Sequence, residues 1–132
     1  MRKIIKVAVN SIYIIAILIS VLIIYSTIST GIPSILGYRP MFVVSESMEP
    51  VIKKYQFILG EVAEIEELKV GDIVGFKAPK KENALNSKLV VHRIVAINDD
   101  NTFFLQGDAN LSSLEYERKV NPEDILYKII IY

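Results

Sequence analysis

The chain has 132 residues, 15 Lys and Arg against 15 Asp and Glu, one His and no Cys. This length admits one modest folded domain, and a net charge of zero argues against a nucleic-acid partner. One His and no Cys exclude a His/Cys zinc cluster and any disulfide, so no metal or cofactor is expected.

The apolar residues are front-loaded. Val7 to Ile28 is a 22-residue stretch without a charge. A helix of that length, at about 1.5 Å per residue, covers the roughly 30 Å hydrocarbon layer of a bilayer. Ser20 is expected to bond a carbonyl of its preceding turn. A cleaved signal peptide has a shorter apolar stretch, roughly 7–15 residues, and a small-residue cleavage site. Ser29-Thr30-Gly31-Ile32-Pro33 does not resemble one. The expected organisation is a cytoplasmic basic end and anchor helix over 1–30, then one extracytoplasmic domain over 31–132. Arg2, Lys3 and Lys6 precede the apolar stretch and no acid does, so the positive-inside rule keeps the N-terminus cytoplasmic and exports the rest. No second long apolar run follows.

The outer part reads as mainly β. Gly31-Ile32-Pro33 ends the helix. Strands are expected at Met41–Val44, Gln56–Gly60, Ile73–Phe76, Lys88–Ile97, Thr102–Gln106 and Leu126–Tyr132. Gly71-Asp72, Asn98–Asn101 and Asn121-Pro122 carry turn chemistry. Only Val62–Leu68 has a helical look. The polar stretch over 77–87 reads as an exposed loop.

Three residues suit nucleophilic chemistry. Ser47 lies in Ser45-Glu46-Ser47-Met48-Glu49-Pro50, just past a strand end. Two serines in a turn are also ordinary loop chemistry. His92, the one histidine, sits within a strand, and its side chain suits proton transfer near neutral pH. Asp108 follows Gly107 at the end of the next strand. If the hairpin loop is Asp99-Asp100-Asn101 with Asn101 left-handed, Asn98 pairs with Thr102 and His92 falls opposite Asp108. A register one residue shorter puts Asp108 beside Val91, on the wrong face, unless Gly107 bulges.

Four motifs stand in series: SESMEP at 45–50, VGDIVGFK at 70–77, VVHRIVAI at 90–97 and QGDAN at 106–110. With the N-terminal apolar segment, they resemble the type I signal peptidase family. Histidine at position 92, where bacterial-type members carry lysine, resembles the archaeal and endoplasmic-reticulum branch. The resemblance implies an antiparallel β-domain and a membrane-bound serine endopeptidase that removes signal peptides from exported preproteins. Ser47 would be the nucleophile, His92 the general base and Asp108 the residue that orients the imidazole. Ser45 would be an oxyanion donor beside the backbone N–H of Ser47. Small side chains would be selected at the first and third positions before the cut, with Met48 a candidate wall of the substrate pocket.

The chain departs from the family pattern twice. Glu46 stands where a glycine is usual, a cost if that backbone needs a positive φ. Leu114 stands where the branch often has a second Asp, which makes the adjacent Glu115 the alternative third member. The implied partners are preprotein signal peptides and a lipid bilayer, of the cell or the endoplasmic reticulum. Further membrane subunits are left open. Ile35, Leu36, Met41 and Phe42 are candidates to meet the membrane interface or to join the core. Two competing readings stand. One is a catalytically inactive, membrane-tethered domain that binds peptides or a partner. The other is a Ser/Lys protease using Lys77 or Lys88.

Overall fold

The computed structural model describes residues 1–30, 34–79 and 88–132, which form two units, Met1–Tyr38 and Arg39–Tyr132. The expected helix stop at residues 31–33, and residues 80–87 of the expected loop, lie outside the described residues.

The first unit is dominated by one helix, α1 (Arg2–Thr30). Its stretch Arg2–Ile28 is long and apolar enough to cross a membrane. Its apolar side chains are exposed on every face. The hydroxyls within it are satisfied locally. Ser11, Ser20 and Thr27 donate to the carbonyls of Val7, Ala16 and Ile23 at 3.0, 2.8 and 2.8 Å. Such back-bonding is how a hydroxyl avoids an unmet hydrogen bond in an apolar medium.

The second unit is built on one antiparallel sheet. Its strands are β1 (Tyr38–Phe42), β2 (Phe57–Val62), β3 (Ile73–Lys77), β4 (Leu89–Ile97), β5 (Phe103–Gln106) and β6 (Ile125–Ile131). Their spatial order is β1-β2-β6-β3-β4-β5, so β1 and β5 are the edges. β3 lies between β6 and β4, and its first four residues are all buried. Alternate side chains of β3 enter two clusters. Val74 and Phe76 join Leu68, Ile94, Phe103, Leu105, Val120 and Ile125. Ile73 joins Val43, Met48, Ile52, Ile58 and Ile129. The helical look of 62–68 resolves into β2's end and a 3-10 turn, Ile65–Glu67.

One irregularity decides how the site forms. The β4–β5 loop has the expected shape: Asn101 is left-handed at φ 61°, and the Asn98 N–H donates to the Thr102 carbonyl at 2.8 Å. Ile97 pairs with Phe103 and Ala96 with Phe104. Then the register slips, and Ile94 pairs with Leu105 and Arg93 with Gln106. Val95 is the extra residue of a β-bulge in β4. Beyond it, Gly107 rather than Asp108 meets His92.

Candidate active site

Ser47 sits in a turn fixed from beneath. The Ile52 N–H donates to the Met48 carbonyl at 2.9 Å, and the Glu49 N–H to the Glu46 carbonyl at 3.1 Å. The side chains of Met48 and Ile52 are buried in the second cluster, at 1% and 0% exposure. Met48 therefore anchors the turn, and the expectation that it walls a substrate pocket is corrected: it has almost no surface to offer. Glu46 is not at positive φ, where the non-glycine residues among those described are Leu36, Tyr55 and Asn101. Its side chain faces outward to Lys54 Nζ at 3.1 Å, so the departure from glycine brings no left-handed strain.

His92 reaches this turn from β4. Its Nε2 is 3.1 Å from Ser47 Oγ, and Ser45 Oγ lies 3.2 Å from the same oxygen. The imidazole is 4% exposed and tilts against the Phe76 ring. Its Nδ1 lies 2.6 Å from Oε1 of Glu117, a fully buried carboxylate. Glu117 closes a 3-10 turn, Glu115–Glu117. Its Oε2 accepts the Leu114 N–H at 2.8 Å. Burial pushes the His92 pKa below its usual 6.5. The charge and hydrogen bonding of Glu117 and the charge of Asp108 oppose that shift, while Lys88 adds to it.

The carboxylate against the imidazole is thus not Asp108, the expected third residue, nor Glu115, the alternative. Asp108 binds Arg93 with both oxygens, accepting from Nε at 2.8 Å and from Nη2 at 2.6 Å. The bulge at Val95 is the cause, because it moves Asp108 out of register with His92. Glu115 is exposed. Sequence reasoning missed Glu117. The available signal was a carboxylate two residues beyond Glu115 in a segment returning toward the sheet, too weak to choose among neighbouring acids.

Arg93 ties the motifs together. Its Nη1 donates to the carbonyl of Gly71 at 2.7 Å, in a turn where Gly71 has φ 100° and its N–H reaches the Ile94 carbonyl. With Asp108 so held, the Ala109 N–H donates to the Ser47 carbonyl at 2.9 Å. Gly107 lies under this contact. A Cβ there would fall 2.5 Å from the Ser47 carbonyl oxygen and 2.9 Å from His92 Nε2. Lys77 and Lys88 are both exposed, whereas a lysine base needs desolvation to be neutral near pH 7. Among the described residues, no three His, Cys, Asp or Glu side chains converge as a metal site.

The chain matches the family described as signal peptidase, peptidase S26, over residues 7–113. It belongs to that family. No curated protein and no solved structure matches it. Signal peptidase function, signal-peptide substrates and membrane association accompany the family, and one apolar helix long enough to span a bilayer begins this chain.

Proposed function

We propose that this signal peptidase is a serine endopeptidase of the Ser/His type, with Ser47 as nucleophile and His92 as general base. The observation that carries the reading is the 3.1 Å approach of His92 Nε2 to Ser47 Oγ within the family's motifs. A serine hydroxyl becomes an effective nucleophile when a base takes its proton. His92 accepts the proton as Oγ attacks the scissile carbonyl, then returns it to the leaving amine. Water hydrolyses the acyl-enzyme by the same route. Ser45 Oγ and the backbone N–H of Ser47 are the candidate donors to the oxyanion. Such a donor commonly supplies about 2.7–4 kcal/mol of barrier reduction.

In this reading α1 is a single-pass anchor with its basic end in the cytoplasm, as Arg2, Lys3 and Lys6 direct. Ser47 follows Ile28 by 19 residues, a short tether for a substrate whose signal peptide is still in the bilayer. β1 is an edge strand that runs into the nucleophile turn. An extended substrate would add along it through main-chain hydrogen bonds. Phe42 and Leu36, exposed at 69% and 71%, suit a membrane interface, while Met41 packs on the second cluster.

The test is cleavage of a preprotein by the purified chain in detergent. The wild type and Lys88→Ala are expected to cut, and Ser47→Ala and His92→Ala to be dead. A wild type that binds but cuts nothing supports the inactive peptide-binding domain. An active His92→Ala beside a dead Lys88→Ala supports the Ser/Lys reading.

A further inference from the structure

The geometry points to Glu117 as the positioning residue for His92, carried by a segment, residues 107–117, that holds both halves of the site. This inference rests on the Ser47/His92 reading. At the start of the segment, Gly107 packs under the Ser47 carbonyl and the Ala109 N–H bonds to it. At its end, Glu117 meets His92 Nδ1. Between them the segment is tied to the last residue of β5. Gln106 Nε2 donates to the Asn110 carbonyl at 2.8 Å, and Ser113 Oγ donates to Gln106 Oε1 at 3.3 Å. The Ser47–His92 distance is thus set by one clamp of eleven residues. Glu117 lies beyond the stretch that matches the family, which ends at residue 113.

The chemistry follows from what a carboxylate can do. Ionised, it only accepts hydrogen bonds. Glu117 Oε1 lies 2.6 Å from Nδ1, close but off the line of a formed hydrogen bond. A carboxylate this near favours the Nδ1–H form of the neutral imidazole, which leaves the Nε2 lone pair facing Ser47 Oγ. The other tautomer would set a lone pair against an anion and leave Nε2 unable to act as a base. Asp108 is turned to Arg93 instead, its two oxygens accepting from that guanidinium at 2.8 and 2.6 Å.

Glu117→Gln separates the possibilities. An amide has one oxygen, and two donors need it: His92 Nδ1–H and the Leu114 N–H. If the oxygen keeps Leu114, the amide nitrogen donates to Nδ1 and forces the proton onto Nε2. The single histidine makes this directly readable. Nitrogen NMR of the full chain in detergent, labelled at histidine, reports the ring tautomer and its titration without any need for catalysis. The charged groups acting on His92 are Glu117, Asp108 and Lys88. The wild type is expected to show the Nδ1–H form. Glu117→Gln is expected to shift toward the Nε2–H form and to titrate at lower pH, because the anion that favours the imidazolium is gone. Its kcat/KM should fall on the order of 10⁴-fold, the scale of a wrong tautomer, and the acid limb of its residual activity should move down in pH. Glu117→Asp keeps the charge and should recover part of both effects.

An Nε2–H wild type overturns the inference, as does a Glu117→Gln titration identical to wild type. So does the same shift appearing in Asp108→Asn and not in Glu117→Gln. If Glu117→Gln does not fold, the wild-type tautomer alone decides. A protein that cuts no preprotein refutes the protease reading and leaves this measurement intact.

Discussion

Gly107→Ala perturbs the site by one methyl group. The new Cβ would lie 2.5 Å from the Ser47 carbonyl oxygen, 2.8 Å from Asn110 Nδ2 and 2.9 Å from His92 Nε2, where ordinary contact begins at 3.4 Å. Relief at the first contact alone needs a displacement of about 0.9 Å, and that atom is backbone, so the nucleophile turn itself must move. Overpacking of this kind costs about 1–3 kcal/mol of stability. A shift approaching 1 Å between reacting groups costs about 100-fold in rate. Urea unfolding and preprotein cleavage in the same detergent read the two effects. Gly75→Ala is the control: the nearest neighbours of its Cβ are Tyr127 and Leu89, at an ordinary contact distance of 3.5–3.7 Å. Gly75→Ala should be neutral or gain about 0.4–1 kcal/mol through the unfolded chain. Wild-type stability and activity in Gly107→Ala would refute the reasoning.

The remaining expectations are as follows. Asp108→Ala should lose about 1–3 kcal/mol by urea unfolding, because it leaves the Arg93 guanidinium without its two charged hydrogen bonds. Its kcat/KM should also fall as the Ala109–Ser47 contact loosens, whereas Glu115→Ala should leave unfolding within about 0.5 kcal/mol of wild type, as exposed positions do. Activity should persist below pH 6.5 and fail further down, since burial holds His92 neutral to lower pH than a free imidazole. The same shift affects stability. The unfolded chain takes up its histidine proton first, near pH 6.5, so this group's contribution falls as pH drops from there toward the lower folded value; pH-dependent urea titrations of wild type and His92→Gln should diverge over that window. In α1, Ile17→Lys should raise the cost of insertion by about 3–4 kcal/mol at the bilayer centre and lower the membrane-bound fraction after flotation. An unchanged fraction would contradict the anchor.

Much of the fold was legible because it rests on pattern. An uncharged 22-residue run reads as a long helix, and apolar and β-branched runs marked β2 to β6 to within two residues, whereas β1 begins three residues before the expected Met41 and ends before Val43 and Val44, the β-branched residues that marked it. The hairpin loop was legible from Asn98–Asn101, whose turn chemistry fixed the register at its own end. What the pattern could not carry was Val95. A bulge residue in a strand has the same branched, apolar character as its neighbours, so nothing distinguishes the one that goes unpaired. That single residue separates a His92–Asp108 pair from the observed His92–Glu117 and Arg93–Asp108 pairs. Glu117 was illegible for another reason. It arrives on a three-residue 3-10 turn, too short for periodicity, after a segment held by side-chain and backbone bonds of its own.

The most direct measurement is covalent trapping of the nucleophile. A signal-peptide analogue with a serine-reactive phosphonate at the scissile position would be incubated with the full chain in detergent, and the modified residue read by mass spectrometry. The adduct should form on Ser47 in the wild type and be lost in His92→Ala. An adduct on another residue, or undiminished labelling of Ser47 in His92→Ala, would contradict activation of this hydroxyl by this imidazole.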